Sequence, residues 1–203
     1  MFAQVIQART SDPEAVLVHV DRWMQDLQPG SIGWLGTTVG VADDGRTVSV
    51  VRFESAEEAQ RNADRPEQTR WWEAMLQHLD GEPTVRDSEQ VTFDLVGDPN
   101  RAGFVQVMQG QVTDPERAQE LMAQFPHDAM KEFRPEVLGT VMINHDEGRW
   151  TQVIYFTSES EARQGERKEP PPEFRAVMEQ LMSISVGEPE FIDLRRPLLF
   201  SPT

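Results

Sequence analysis

The sequence predicts an α+β protein made of two copies of a β-α-β-β-α-α-β repeat, with antiparallel sheets and helices outside them. Three observations predict this: an internal duplication, a hydrophobic period that switches between strand and helix values, and turn signals at matching places in both copies. Phe2-Ala3-Gln4-Val5-Ile6-Gln7 returns as Phe104-Val105-Gln106-Val107-Met108-Gln109, an offset of 102 residues. Leu35-Gly36-Thr37 and Phe53-Glu54-Ser55 return as Leu138-Gly139-Thr140 and Phe156-Thr157-Ser158 at an offset of 103. Gly81-Glu82-Pro83 returns as Gly187-Glu188-Pro189 at an offset of 106. Ordered matches with a slowly drifting offset mark a duplicated chain. The halves are 1–95 and 104–203, joined by a Gly-, Pro- and Asn-bearing linker at 96–103.

Within the first half, Phe2–Arg9 mixes β-branched and amide side chains and reads as a strand. Ser11-Asp12-Pro13-Glu14 reads as a helix start, with Ser11 and Glu14 forming a capping box and Pro13 in the first turn. Val16, Val20, Trp23, Met24 and Leu27 make one apolar stripe along that helix, which Pro29-Gly30 ends. Residues 34–41 and 47–53 are strands on either side of Asp43-Asp44-Gly45, a hairpin signal. Ser55-Ala56-Glu57-Glu58 opens a second, short helix. A third follows Pro66, with Trp72, Met75, Leu76 and Leu79 on its apolar side. Gly81-Glu82-Pro83 stops it, and 85–95 forms the last strand. The second half repeats this order, its last helix carrying Phe174, Val177, Met178 and Leu181. Pro126, after Leu121, Met122 and Phe125, predicts a break in its first helix. Helices on one face of a sheet leave the other face needing cover, so the pattern predicts a pseudo-twofold pair of four-stranded sheets. The tail Leu198-Leu199-Phe200 is apolar enough either to dock on the partner half or to mediate self-association.

Charge and composition narrow the function. The 203 residues carry 35 acidic and 19 Lys or Arg side chains, a net charge of −16 that disfavours nucleic acid and anionic lipid. With no Cys there is no disulfide, thiolate metal site or Cys nucleophile. No stretch approaches the ~20 apolar residues of a membrane span, and no basic region precedes an apolar one at the N-terminus. A cytoplasmic, acidic protein is the expectation. Phosphate-loop, His-Glu-x-x-His and Gly-x-Ser-x-Gly signatures are missing. His19, His127 and His145 read as surface positions, so no metal site is expected. Asp43-Asp44-Gly45 reads as a turn, because the closing acid of a calcium loop is missing. Residues 166–172 read as an exposed loop stiffened by three prolines.

The element order, the Phe-x-Gln-Val-x-Gln first strand, Val51-Arg52-Phe53-Glu54-Ser55 running into Ser-x-x-Glu, and the Trp71-Trp72 helix together resemble the dimeric α/β-barrel superfamily. Within it they resemble the antibiotic biosynthesis monooxygenase domains. The resemblance implies ferredoxin-like repeats whose sheets pack as a pseudo-dimeric α/β barrel, one chain standing for the family's usual dimer. It implies a cofactor-independent monooxygenase acting on a small aromatic or polyketide-like molecule. Haem-degrading relatives use a strand Asn, a Trp and a helix His. The nearest residues here are Gln4, with Gln106 in the second copy, and His78. These make Gln4 and His78 the catalytic candidates. Trp71, Trp72, Met75, Gln7, Gln106 and Gln109 are the ligand-binding candidates.

Trp71, Met75 and His78 fall at i, i+4 and i+7, a row flanking the main stripe. The second copy has Glu173, Val177 and Gln180 there, so a site of this kind is expected in the first half only. The structural alternatives are that the tryptophans simply pack and the repeated amides bridge sheet atoms. The function alternatives are a non-catalytic small-molecule-binding or interaction module of the same fold, and a haem-binding or haem-degrading protein. No cofactor is expected under the leading reading, haem entering only with that last alternative. The expected partner is a small hydrophobic or aromatic ligand, neutral or weakly acidic, and neither nucleic acid nor membrane. The chain is expected to be a pseudo-dimer in itself, with further homodimerisation left open by the tail.

Overall fold

The computed structural model describes residues 1–124 and 127–202, leaving aside the side chains of Leu95, His127 and Asp128. In chain order the elements are β1 (Phe2–Arg9), α1 (Pro13–Asp26), β2 (Trp34–Val41), β3 (Arg46–Phe53), α2 (Ala56–Ala63), α3 (Pro66–Leu76), β4 (Thr84–Ser88) and β5 (Gln90–Leu95). The second copy supplies β6 (Phe104–Gln111), α4 (Pro115–Ala123), α5 (His127–Phe133), β7 (Val137–Asn144), β8 (Arg149–Phe156), α6 (Glu159–Glu166), α7 (Pro172–Ser183) and β9 (Glu190–Leu194), and the chain ends with β10 (Leu198–Phe200). The fold is α+β, with two antiparallel ferredoxin-like sheets, as the duplication predicts. No helix among the described residues is long and apolar enough to cross a membrane.

Each sheet has five strands rather than four, in the orders β10-β2-β3-β1-β4 and β5-β7-β8-β6-β9. The expected strand over 85–95 is two strands, β4 beside β1 and β5 beside β7. At the break the Ser88 hydroxyl accepts the amide N–H of Gln90 at 3.0 Å, a local side-chain turn that replaces ladder bonding. The apolar tail supplies the other fifth strand, pairing Leu198 with Val39 and Phe200 with Thr37. The chain accordingly separates into a unit of 1–91 with 193–203 and a unit of 92–192.

Helix starts follow the repeat, with one correction. The cap of α1 is Asp12, whose carboxylate accepts the Ala15 N–H at 3.1 Å, while Ser11 donates to Asp80 instead. Asp114 caps α4 in the same way, accepting from Arg117 at 2.9 Å. Ser55 and Ser158 cap α2 and α6 as expected. The break between α4 and α5 falls where the sequence places it, although Phe125 and Pro126 lie outside the described residues. In the β2–β3 hairpin, Gly45 has φ +82°, and Asp44 accepts the Arg46 amide at 3.1 Å. That amide bond is the first cause holding the Asp44 carboxyl below its ordinary range.

A bulge between Trp34 and Gly36 brings β2 close to β10. Gly36 has φ +138°, and a Cβ there would sit 2.6 Å from the Phe200 carbonyl oxygen. Gly36→Ala therefore meets both a backbone penalty and a clash, and should destabilise the protein by about 1–3 kcal/mol. Denaturant titration measures that loss, and hydrogen exchange at 198–200 should rise before global unfolding. Asp12→Ala should cost about 1 kcal/mol by the same titration and Ser11→Ala markedly less, since only Asp12 satisfies a helix N–H.

Candidate functional site

The first unit's helices meet through an apolar contact built from the predicted stripes. Val16, Val20, Val39 and Met75 form a buried cluster, with Val41, Trp71, Trp72, Leu79, Leu198 and Phe200 packed against it. His19 stands at the edge of the α1 stripe, three residues after Val16. Its ring stacks on the Trp71 indole at 4.9 Å between centroids, 28° from parallel. The two residues also bond reciprocally: the His19 Nε2 lies 3.0 Å from the Trp71 carbonyl, and the Trp71 Nε1–H donates to the His19 carbonyl at 3.2 Å. A carbonyl only accepts, so Nε2 carries the hydrogen and the basic lone pair of neutral His19 sits on Nδ1.

His78 lies just past α3. The Thr10 hydroxyl donates to its carbonyl at 2.7 Å, and its ring is 5.3 Å from that of His19. The Trp72 ring is 6.2 Å from Trp71. Trp71, Trp72 and Met75 lie on α3 as expected, whereas His78, expected on the same helix, falls in the turn after it because α3 ends at Leu76. His19 is a correction: read as a surface position, it joins the two helices. Its signal in the sequence was a spacing of i+3 from Val16 and i−4 from Trp23. Clasping the helices also occupies the Trp71 N–H, leaving the indole face as what it can offer a ligand.

Strand parity separates the amides. Phe2 pairs with Phe53, Gln4 with Val51 and Ala8 with Thr47. Phe2 and Phe53 belong to the cluster that also takes Trp23 and Met24 of α1, so Phe2, Gln4, Ile6 and Ala8 face the helices. Gln7 points the other way, and the same parity puts Gln106 and Gln109 on opposite faces of the second sheet. Gln4 donates to Asp87 at 3.1 Å, Gln7 accepts from Arg86 at 3.0 Å, and Gln109 donates to Thr151 at 2.9 Å. These are bonds between neighbouring strands of one sheet. Gln106 is buried. His145, also read as a surface position, is half-buried, its Nε2 3.1 Å from the Thr151 hydroxyl. Thr10, whose hydroxyl donates to the His78 carbonyl, follows Gln4 by six residues along the chain.

The helix-facing side of the two central strands is less tightly covered than the opposite one. Gln4, Ile6, Ala8, Ser49 and Val51 remain partly accessible there. Their neighbours on the opposite face, Ala3, Val5, Val48 and Val50, are 0–1% exposed. This strip runs beside the helix cluster, because Thr47 pairs directly with Val41, which packs on that cluster. Thr47 is buried, and its hydroxyl has no hydrogen-bond partner. It was read only as part of a strand. The available signal was the alternation Thr47-Val48-Ser49-Val50, which puts hydroxyls on the face that helices cover.

The second unit differs at the matching places. Trp150 stands where Thr47 does and pairs with Gly110, and a Cβ at Gly110 would fall 2.6 Å from the indole Cζ2. The ring therefore lies across the strand. Gln152 stands where Ser49 does, pairing with Met108. The Phe104 and Phe156 rings lie 5.8 Å apart, tilted by 31°, with the Arg163 guanidinium 5.2 Å over Phe104, a structural cluster.

No protein-family model and no curated protein matches this sequence. Solved structures do. A putative monooxygenase from Fusobacterium nucleatum is 11% identical with a TM-score of 0.74, covering 100% of this chain and 98% of its own. An anthrone oxidase-like protein is 14% identical with a TM-score of 0.68, covering 98% and 92%. A ferredoxin-fold protein related to antibiotic biosynthesis monooxygenases, from Listeria monocytogenes, is 11% identical with a TM-score of 0.50, covering 100% and 95%. At these identities what is shared is the fold, along the whole length and in both copies.

The His19–Trp71 clasp should be worth about 1–3 kcal/mol, since it combines a ring stack with two hydrogen bonds. His19→Ala should lose that much in denaturant titration and shift tryptophan emission to longer wavelength as the Trp71 face is wetted.

Proposed function

We propose that, in a chain carrying the antibiotic biosynthesis monooxygenase fold twice, the first unit binds a small aromatic enol or phenol and oxygenates it without metal, flavin or haem. The observation that carries this reading is the accessible strip on a sheet face that helices otherwise cover. It combines an apolar floor with hydroxyls, beside the cluster on which Trp71 and Trp72 pack, the mixture that small-molecule sites use. The likeness to an anthrone oxidase-like protein supports the class of substrate.

A hydroxyanthrone illustrates the chemistry. Its C10 methylene is acidic because the carbanion delocalises into the ketone. Once a base removes one C10 proton, the anion gives an electron to dioxygen. Recombination forms a C–O bond at C10 and, with a proton, a hydroperoxide. Loss of water then breaks the O–O bond and leaves a carbonyl. One oxygen atom enters the quinone and the other leaves as water, so the substrate is the only reductant. His78, whose carbonyl Thr10 holds, is the group we assign to the proton, and a positioned base of this kind contributes about 10²–10⁴-fold. Gln4, on the helix-facing side of β1, is the amide we assign to the wall of the strip. The net charge of −16 favours a ligand that arrives neutral and ionises once bound.

Oxygen uptake with 1,8-dihydroxyanthrone is the test. One dioxygen should be consumed per anthrone above the buffer rate, and His78→Ala should slow turnover at least about a hundredfold. Binding without uptake would reassign the site to a non-catalytic ligand-binding module. A Soret band on hemin addition that is lost in His78→Ala would favour the haem alternative.

A further inference from the structure

We infer that Thr47, with Ser49 beside it, is the hydrogen-bonding anchor of the ligand, and that the protein has one such site rather than two because Trp150 fills the corresponding place in the second unit. The inference rests on the site proposed above but not on turnover.

The Thr47 hydroxyl is buried without a partner. A hydroxyl offers one donor and two acceptor positions, and burying it unbonded is unfavourable compared with an apolar group of the same shape. Valine has that shape, and the neighbouring helix-face positions Val41 and Val51 use it. Threonine at 47 therefore lowers stability in the free protein for no internal gain, as expected of a group whose partner comes from outside. Parity puts Ser49 on the same face, two residues on and partly accessible, so the pair presents one hydroxyl at the surface of the strip and a second beneath it. Reaching Thr47 takes rotamer changes in the side chains above it, the ordinary scale of adjustment on binding. The chemistry that suits two adjacent hydroxyls is a pair of oxygen acceptors on one edge of a planar ring system, such as a ketone flanked by a phenol.

In the second unit the hydroxyls are replaced by Trp150 and Gln152, and the indole lies across Gly110. An aromatic ligand cannot lie where that ring already does. The duplication has thus kept one floor open and plugged the other.

The redox-inert probe 1,8-dihydroxyanthraquinone tests this by equilibrium dialysis and thermal denaturation. Wild type should bind one equivalent per chain. Thr47→Val should bind about tenfold more weakly while melting at the same or a higher temperature, and Thr47→Ser should restore most of the affinity. Ser49→Ala should weaken binding in the same direction. Unchanged affinity in Thr47→Val, or a lower melting temperature from a hydroxyl bonded within the protein, would overturn the anchor. Two equivalents per chain would overturn the single site. If wild type binds no quinone, this inference and the site it rests on both fail; if it binds quinone but oxidises no anthrone, the anchor stands and only the oxygenase reading fails.

Discussion

The antiparallel register of β1 against β3 is the constraint on which the first unit depends. With Phe2 opposite Phe53 and Ala8 opposite Thr47, every second residue is committed to the helices and every other one to the opposite face. A slip of one residue would exchange Ala3 and Val5 for Gln4 and Ile6, moving amide into the fully buried layer and apolar groups out of it. The same parity decides the site. It divides the repeated glutamines between two faces and puts Thr47 and Ser49 on the face where space remains.

The helices respond to that floor in different ways along its length. Near Phe2 the packing closes, with Trp23, Trp34 and Ala59 filling the space over the strand ends. Toward Ala8 the helices are held to each other by the His19–Trp71 pair, and the polar edges of both rings are used in the joint. A wall whose own hydrogen bonds are satisfied internally can border an opening without collapsing into it. The floor's polarity then comes from short hydroxyl side chains rather than from the tryptophan or the amides.

Much of this architecture is legible in the residues alone, because its signals are local or repeated. The duplication, the stripe from Val16 to Leu27 and the caps at Ser55 and Ser158 all depend on neighbours in sequence, whereas α3 ends at Leu76, ahead of the stop expected at Gly81. The split at Ser88 is not of that kind. Residues 85–95 alternate like one strand, and which sheet each part joins is decided by partners far away in the chain, β1 for β4 and β7 for β5. The tail posed the same problem, being apolar for a reason that only β2 reveals. At the site, Trp71 and Met75 are legible as neighbours on one helix, whereas the end of that helix at Leu76, ahead of His78, has no marker as plain as a glycine. His19 was missed because it sits at the margin of a stripe, where burial depends on the facing helix. Gln4 bonds Asp87 on the neighbouring strand, a partner that only the pairing of β1 with β4 reveals. Thr47 was passed over because a threonine in a strand is unremarkable until its hydroxyl is found unbonded.

The exchange of short strands has a consequence for biosynthesis. Until residues 198–200 emerge from the ribosome, β2 is an uncovered margin with a free row of amides and carbonyls beside the bulge at Gly36. A nascent chain in that condition can pair with a neighbouring polysome product through the same groups. Completion of the N-terminal unit thereby waits until residues 198–200 have been made, and products truncated before them carry an adhesive strand.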